Sequence, residues 1–544
     1  MDAVNTAARL AGRAAAHPDR LAIVEYRGGR VRRVTFGALA GRVAALAAGL
    51  ARRGIAPGDR VLLFIPMSLD LYVALLAIHH AGAVAVFVDA WAGRKRLDDA
   101  VAAARPRAFL GTPKAHLLRL ASPALRAIPI PIVAGGSLVS LARLERGGEA
   151  RPPAEVAAGS PALITFTTGS TGRPKAAARS HEFLWAQHEV LRSHLGITES
   201  DVDMPTLPVF VLNNLAGGVT SVLPDFDPRR PADIDPAAIH AQMLAERVTT
   251  TSGSPAFYER LVDGCLPRKT LPVRALFTGG APVLPALARK LQEAMPHGTP
   301  HVVYGSTEAE PIASITAGDM LAALERGGEG LPAGTPVPEI ELRLICPHDG
   351  PVALGARGLA EWEAAPGETG EVVVSGRHVL SGYLDDPESD RENKIKDGSR
   401  VWHRTGDGAR LDAHGRLWLM GRIGRRVTRG GRTWWGIAAE MRALRVSGVR
   451  HAAYLGLSDP EAGARAVLCV EADAPLSEPR CEEIAAALDP MPVDEIVTLP
   501  LIPRDSRHAS KTDAGALLAL LERRRAGGGK PHRGRSPATR DEPC

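Results

Sequence analysis

Apolar residues recur at three- and four-residue intervals in the N-terminal part of the chain and alternate there with short, continuous apolar runs. The intervals predict a helix over 36–53 and another over 69–80. The runs 60–66 and 83–89 lie next to Gly or Pro residues, which is typical of buried strands. Strands that alternate with helices predict an α/β fold, in which parallel-type sheets are flanked by helices.

Three further apolar runs are each followed by small residues. The runs cover 247–252, 273–278 and 301–304, and the small residues after them are Gly253, Ser254, Gly279, Gly280, Ala281 and Gly305. Open α/β sheets bind ligands beyond the carboxyl ends of their strands. We therefore predict that these loops together form one ligand-binding site. The segment 207–227 is apolar but interrupted by Asn and Gly pairs, and we interpret it as an irregular pocket wall.

From about residue 330 the pattern changes to short β-prone runs with Gly and Pro turns, which predicts a β-rich subdomain. The predicted organisation is a large N-terminal domain over 1–422 and a small, mobile α+β domain over 423–525. A Gly-, Pro- and Arg-rich tail over 526–544 has the composition of a disordered segment.

Composition narrows the function classes. The 544 residues carry a net charge of +6, and residues 523–544 hold seven basic and two acidic side chains, so +5 of that charge lies in the tail. A folded nucleic-acid-binding face is therefore not expected. Five scattered cysteines without a CxxC spacing argue against a zinc site and fit a reducing cytoplasm. The most apolar stretch, 69–90, contains Asp and His and is not expected to span a membrane.

One stretch carries candidate chemistry. Residues 163–178 read LITFTTGSTGRPKAAA, a short strand followed by glycines, hydroxyl side chains and Lys175. Glycines allow close backbone approach, while hydroxyls and a lysine bind phosphate oxygens. The GxxxxGK[ST] pattern of a P-loop is absent around Lys175. A polyphosphate site and a merely flexible loop both remain open on this spacing alone.

Four motifs in order resemble those of the adenylate-forming enzymes, which include acyl-CoA synthetases, luciferases and peptide-synthetase adenylation domains. They are TTGSTGRPKA at 167–176, YGSTEAE at 304–310, HRTGDGARLDAHGRLWLMGR at 403–422, and the terminal loop that carries Lys511. The resemblance covers residues 5–522. It implies a two-domain enzyme that uses ATP and Mg²⁺ to activate a carboxylic acid.

The resemblance also implies roles for individual residues. The phosphate-binding set is Thr167, Thr168, Gly169, Ser170, Thr171, Gly172 and Lys175; the adenosine-binding set is Gly279, Gly280, Ala281, Tyr304, Gly305, Asp407 and Arg422. Thr307 is expected at the α-phosphate and Glu308 at Mg²⁺. Lys511 is expected to bridge the α-phosphate and the substrate carboxylate. Mg²⁺ and a lysine suit a reaction in which two anions must meet.

Several segments are similar to the olefin-pathway β-lactone synthetases, among them 205–233, 253–256, 303–315 and 506–511. Such enzymes adenylate a long-chain 3-hydroxy fatty acid, and the hydroxyl then closes a four-membered lactone. The resemblance is also compatible with a complex with other enzymes of the same pathway. By position, the substrate pocket is expected at Phe210, Val211, Asn213, Gly253 and Ser254.

Two alternatives stay open. A fatty acyl-CoA ligase of the same fold would need free CoA, but Arg425 stands where such ligases often carry a hinge aspartate. A catalytically idle binding protein is disfavoured because Lys175, Glu308, Asp407 and Lys511 form a complete charge set.

Overall fold

The computed structural model describes residues 5–88, 94–134, 141–146, 151–168, 174–266, 268–459, 463–472, 474, 476–504, 511–526 and 532–533. Within these residues, no helix is long and apolar enough to cross a membrane.

The strands are β1 (Leu21–Arg27), β2 (Arg30–Thr35), β3 (Arg60–Phe64), β4 (Val84–Phe87), β5 (Ala108–Gly111), β6 (Ile130–Val133), β7 (Pro161–Thr168), β8 (Pro174–Ser180), β9 (Val202–Pro205), β10 (Thr220–Leu223), β11 (Thr250–Gly253), β12 (Ala275–Gly279), β13 (Thr299–Ser306), β14 (Ala309–Thr316), β15 (Leu331–Pro336), β16 (Glu341–Ile345), β17 (Gly370–Ser375), β18 (Lys394–Asp397), β19 (Arg400–Leu411), β20 (Leu417–Arg422), β21 (Val427–Arg429), β22 (Arg432–Trp434), β23 (His451–Asp459), β24 (Gly463–Glu471), β25 (Glu495–Leu499) and β26 (His532–Arg533).

The α-helices are α1 (Thr6–Ala16), α2 (Phe36–Arg52), α3 (Leu69–His80), α4 (Arg94–Ala104), α5 (Pro113–Ala121), α6 (Pro123–Ala127), α7 (Leu141–Leu144), α8 (His181–Leu195), α9 (Pro208–Gly217), α10 (Pro236–Ala245), α11 (Pro255–Cys265), α12 (Pro285–Ala294), α13 (Ala317–Glu325), α14 (Pro387–Asn393), α15 (Gly436–Ala443), α16 (Glu478–Leu488) and α17 (Ala514–Ala526).

The chain forms two compact units. Unit 1 contains Met1–Ala317, Val337–Glu341 and Val374–His403, and unit 2 contains Gly318–Pro336, Leu342–Val373 and Arg404–Cys544. The predicted border at 422/423 concerns where a mobile domain begins, and it stays a prediction.

Unit 1 holds two sheets. One has the order β6-β5-β3-β4-β7-β8, and its pairs are parallel except for the β7/β8 hairpin. In the other sheet, the strands that belong to unit 1 follow the order β14-β13-β12-β11-β9-β10-β1-β2. The strand pairs are parallel in the middle of this order and antiparallel at both ends. Helices α2 and α3 pack against the first sheet through a core that includes Leu39, Tyr72 and Leu63. The predicted α/β fold class is confirmed.

Unit 2 contains the β-rich part and the C-terminal sheet. The hairpin β19/β20 is antiparallel, and β20 pairs with β15. The sheet β23-β24-β25-β26 combines antiparallel and parallel pairs. Trp435 is buried in a core with Val427 and Tyr454. In the predicted disordered tail, Ala526 is the last residue of α17, and His532 and Arg533 form β26. Disorder of the other tail residues remains a prediction.

Helix α9 corrects the expectation of an irregular wall at 207–227. Pro208 occupies the first turn, where its missing N–H costs no hydrogen bond, and Gly218 ends the helix in the left-handed region at φ 77°. Asn214 within the helix donates to Asp203 Oδ2 on β9 at 2.8 Å and to Ser221 Oγ on β10 at 3.1 Å. These buried bonds stabilise a helix that Asn and Gly would otherwise weaken.

Candidate active site

The β7/β8 hairpin and the turn between β13 and β14 bring two motifs together in unit 1. Thr167, near the end of β7, donates a hydrogen bond from Oγ1 to Glu308 Oε1 at 3.2 Å. The main-chain N–H of Glu308 donates to Ser306 Oγ at 3.2 Å. The preceding residue, Thr307, accepts a bond on its carbonyl from Arg179 Nη2 at 2.9 Å. The structure therefore joins the Thr/Gly/Ser stretch to the predicted metal ligand.

The Glu308 carboxylate is buried and held in its ionised form. Its side chain also accepts a 2.9 Å hydrogen bond from the Tyr383 hydroxyl. Burial by itself raises the pKa of Glu308, but the nearby His403 and Lys394 and the bond from Tyr383 outweigh it, so the pKa lies below its usual value. A carboxylate that stays charged in a buried position is suited to bind a cation.

Lys394 supplies a buried positive charge that the sequence analysis missed. Its Nζ donates to the carbonyl of Leu380 and lies 3.2 Å from His403 Nδ1. Burial lowers the pKa of Lys394 to about 8. Strand alternation would place Lys394 and Lys396 on one face, yet Lys396 is exposed, so the pattern contained no signal for the burial of Lys394.

Lys175 lies across the hairpin from Thr167. Its side chain, which is predicted to bind phosphate oxygens, is buried. Its Nζ is 5.6 Å from the centre of the Tyr383 ring and 4.0 Å from Glu392 Oε2. Tyr383, also missed from the sequence, thus contacts both the glutamate and the lysine of the candidate site.

The rest of the predicted phosphate loop is only partly described. Thr168 ends β7 opposite Pro174, while Gly169, Ser170, Thr171 and Gly172 lie outside the described residues.

The predicted adenine-binding residues sit at neighbouring strand ends. Gly279 ends β12, where a Cβ atom would lie 2.3 Å from the Val303 carbonyl oxygen of the adjacent strand, so only glycine fits. Gly280 has φ 77°, and Ala281 follows it. Tyr304 and Gly305 lie on β13, and Tyr304 pairs with Ala313. Their contacts with a nucleotide remain predictions.

A second group of predicted residues lies in unit 2. Asp407 and Arg422 are partners across the β19/β20 hairpin, and Arg422 Nη1 donates to Asp407 Oδ1 at 2.8 Å. Arg422 Nη1 also donates to the Thr405 carbonyl at 3.1 Å. Lys511 is exposed. It directly precedes Thr512, which forms an isolated antiparallel β-bridge with Arg504. Hairpin register thus positions the predicted ribose-binding carboxylate.

An apolar cavity lies in unit 1 among α1, α3, α8 and α9. Its volume is about 60 Å³, and its lining includes Leu10, Leu76, Leu184 and Leu212. The Arg9 guanidinium lies 3.8 Å from the centre of the Trp185 ring, and both side chains line the cavity. The apolar lining suits an aliphatic chain.

The predicted pocket residues of α9 divide between the cavity and the core. Asn213 lines the cavity, and its Oδ1 is 2.7 Å from His188 Nδ1. Phe210 packs in a core cluster with Leu191 and Phe277, and Val211 is fully buried in the main core of unit 1. The cavity lining in the described part of the chain includes neither of these two residues. Their substrate contacts stay predictions.

Gly253 and Ser254 have local structural roles. A Cβ atom on Gly253 would lie 2.4 Å from Thr206 Oγ1. Ser254 is buried and its hydroxyl accepts a hydrogen bond from the Phe257 N–H, which caps α11.

Comparison with known proteins gives consistent results. Residues 10–384 match the family model described as AMP-binding enzyme. An olefin beta-lactone synthetase of Stenotrophomonas maltophilia is 35% identical over 492 residues, which cover 86% of this chain and 87% of that protein. A feruloyl-CoA synthase of an Amycolatopsis species is 30% identical over 79% of this chain and 82% of its own length.

Solved structures show the same fold. ATP-bound MatB from Rhodopseudomonas palustris superimposes with a TM-score of 0.78 at 24% identity, over 95% of this chain and 99% of that chain. The amide bond synthetase McbA from Marinactinospora thermotolerans gives the same TM-score, identity and coverage.

Proposed function

The chain belongs to the AMP-binding enzyme family, and we propose that within it the protein is a β-lactone synthetase acting on a long-chain 3-hydroxy fatty acid. The observation that carries this proposal is the 35% identity, over 86% of the chain, to a relative named olefin beta-lactone synthetase. The chain is an AMP-forming ligase that uses ATP and a small carboxylic acid.

The proposed reaction has two steps. A carboxylate oxygen of the substrate attacks the α-phosphorus of ATP, and the bond to pyrophosphate breaks. The 3-hydroxyl oxygen then attacks the acyl carbonyl carbon, the bond to AMP breaks, and the hydroxyl proton is released. No external thiol or amine is consumed, so CoA is not required.

Mg²⁺ fits the residues around Glu308. This ion is commonly bound by one or two carboxylates together with substrate phosphates. The Glu308 carboxylate has a lowered pKa and accepts a bond from the Thr167 hydroxyl, at the start of the predicted phosphate loop. When bound, the ion would neutralise phosphate charge. Among the described residues there is no cluster of three or more His, Cys, Asp or Glu side chains that would form an all-protein metal site.

The apolar cavity supports an aliphatic substrate. Gln187, which lines the cavity, donates from Nε2 to the Glu310 carbonyl at 3.2 Å. Glu310 lies on β14, which begins directly after the candidate metal ligand Glu308, so a residue of the cavity lining contacts this strand. We assign the acyl chain to this cavity, with Leu212 and Asn213 in its wall.

The remaining predicted residues keep proposed roles. Lys175 and the loop after Thr168 would bind the terminal phosphates, and Thr307 the α-phosphate. Asp407, oriented by Arg422, would bind the ribose hydroxyls. Lys511 would stabilise the charge that develops on the α-phosphate in the transition state.

A fatty acyl-CoA ligase is the second candidate, favoured by the 30% identity to a feruloyl-CoA synthase. The two candidates differ in whether CoA is required. A ligase forms its thioester only when CoA is supplied, whereas a lactone synthetase releases AMP and product without it.

The deciding experiment incubates the full-length protein with ATP, Mg²⁺ and a racemic 3-hydroxy fatty acid, with and without CoA. AMP is quantified and the organic product is identified by NMR. The matched control is the fatty acid of equal length without the hydroxyl group. A β-lactone formed without CoA supports the proposal, and a thioester formed only with CoA refutes it.

A further inference from the structure

One histidine in the cavity wall has a defined tautomer. His188 on α8 is 6% exposed, and its Nδ1 is 2.7 Å from Asn213 Oδ1. An amide oxygen only accepts hydrogen bonds, so the proton of the neutral imidazole lies on Nδ1 and Nε2 carries the lone pair. Asn213 therefore holds His188 with Nε2 as a hydrogen-bond acceptor.

The surroundings keep this imidazole neutral. Burial lowers the pKa of His188, and Arg192 and Arg13 lower it further, while Asn213 and Glu189 oppose them. A neutral imidazole is a competent proton acceptor, whereas an imidazolium is not.

Nε2 of His188 remains available to a ligand. Over the part of the chain that the structure describes, no side chain or carbonyl forms a hydrogen bond to it. His79 is the other histidine in the lining, and both of its ring nitrogens are hydrogen-bonded. Its Nδ1 is 2.6 Å from Thr6 Oγ1, and its Nε2 is 3.0 Å from the Ala162 carbonyl oxygen. Asn214, next to Asn213, is bonded to Asp203 and Ser221. The amide oxygen of Asn214 has no partner in the described part of the chain, but an amide oxygen is not basic, so His188 is the only one of these groups with a basic lone pair that no hydrogen bond occupies.

We propose that His188 is the catalytic base that accepts the proton of the substrate's 3-hydroxyl group during ring closure. This inference rests on the proposed function. The hydroxyl oxygen forms a bond to the acyl carbonyl carbon, the carbonyl carbon's bond to the AMP oxygen breaks, and the hydroxyl proton moves to Nε2. AMP leaves with the electron pair of the broken bond, and the imidazolium later returns its proton to solvent.

Position in the fold supports this assignment. Gln187, which precedes His188 on α8, bonds to the Glu310 carbonyl at 3.2 Å, and both side chains line the same cavity. The helix that carries the base therefore contacts the segment that follows Glu308. A hydroxyl three carbons into the acyl chain would enter the cavity only a short way beyond the carboxyl group. Asn213 acts as a positioning residue because it fixes the tautomer.

Two substitutions separate proton acceptance from pocket shape. In His188→Asn, the side-chain amide can still donate to Asn213, but no lone pair reaches the position of Nε2. In His188→Gln, an amide oxygen can accept the hydroxyl hydrogen bond but is not basic. His194→Asn is the matched control on the same helix, since His194 bonds to Ser314 Oγ at 2.6 Å and is not among the cavity-lining residues.

Adenylation and ring closure are measured separately. Trapping with hydroxylamine reports the acyl adenylate, and NMR in single-turnover reactions reports the lactone. Loss of a general base slows its step by about 100- to 10,000-fold, so both His188 variants should lose lactone formation by at least 100-fold while adenylate trapping stays close to the wild-type level. His194→Asn should retain both.

Two results would overturn the assignment. Lactone formation at the wild-type rate in either His188 variant would show that no base is needed there. Parallel loss of adenylate and lactone in both variants would show that His188 only shapes the pocket. A wild-type enzyme that forms the adenylate but no lactone would instead refute the proposed function, and the assignment with it.

Discussion

Lys394 should make the stability of the folded chain depend on pH in the alkaline range. Burial lowers the pKa of this lysine from its ordinary 10.5 to about 8, even though Glu308 and Asp390 attract its charge. Between these two values the unfolded chain holds a proton on Lys394 that the folded chain has lost. The unfolded state therefore binds more protons, and the free energy of unfolding rises with pH over this interval.

The magnitude follows from the two pKa values. At about 1.4 kcal/mol per pH unit, the difference between 10.5 and about 8 corresponds to about 3 kcal/mol. Lys394 is only 5% exposed, so solvent screens this contribution little. Replacing Lys394 with Met keeps an unbranched side chain in place and removes the titration.

The assay is equilibrium urea unfolding, followed by circular dichroism, from pH 7 to pH 10.5. The unfolding free energy of the wild type minus that of Lys394→Met should increase by about 3 kcal/mol across this range. Tyrosines and cysteines titrate in both proteins and cancel in the difference. The control is Lys396→Met, an exposed lysine on the same strand.

A difference that stays constant with pH would refute the reasoning, because Lys394 would then titrate alike in the folded and unfolded states. The same increase with Lys396→Met would equally count against a specific effect of burial.

Three further predictions concern activity. Tyr383→Phe removes a hydrogen bond to the charged Glu308 carboxylate, and such a bond is worth about 1.5–3 kcal/mol. The variant should therefore raise the Mg²⁺ concentration for half-maximal pyrophosphate release about tenfold or more. The control Tyr26→Phe also removes a tyrosine–glutamate bond and should leave this concentration unchanged. Leu212→Trp should lower kcat/KM for the longest acids about 10- to 200-fold relative to short ones, while the exposed control Leu244→Trp leaves the chain-length profile unchanged. Lys511→Ala should slow pyrophosphate release by about 100-fold or more, and unchanged release would contradict its role.

Local sequence patterns predicted an element correctly where residues close in the sequence supply its stabilising contacts. The helix predicted over 69–80 is α3 (Leu69–His80), and the hydroxyl of Ser68 caps it. The β19/β20 hairpin lies in the region that the short runs and Gly turns predicted to be β-rich. In both cases the capping residue or the turn lies within the segment or directly beside it, so the local sequence contains the information.

Segments whose stability depends on distant partners were harder to predict. Helix α9 looked irregular because Asn213, Asn214 and two glycines weaken a helix. The bonds from Asn214 to Asp203 and Ser221 come from strands that the local pattern does not connect to it. Tertiary contacts here override propensity.

The sequence by itself determined the alternation of strands and helices, the motifs that mark an adenylate-forming enzyme, and the candidate residues Thr167 and Glu308. Only the tertiary structure decided that these two side chains meet, that Tyr383 and Lys394 surround the glutamate, and that His188 faces an apolar cavity with Asn213 on its Nδ1. The physical reason is that burial and charge depend on residues brought together from distant parts of the chain. The pKa of a carboxyl, an ammonium or an imidazole follows from those neighbours and not from the residues beside it in sequence.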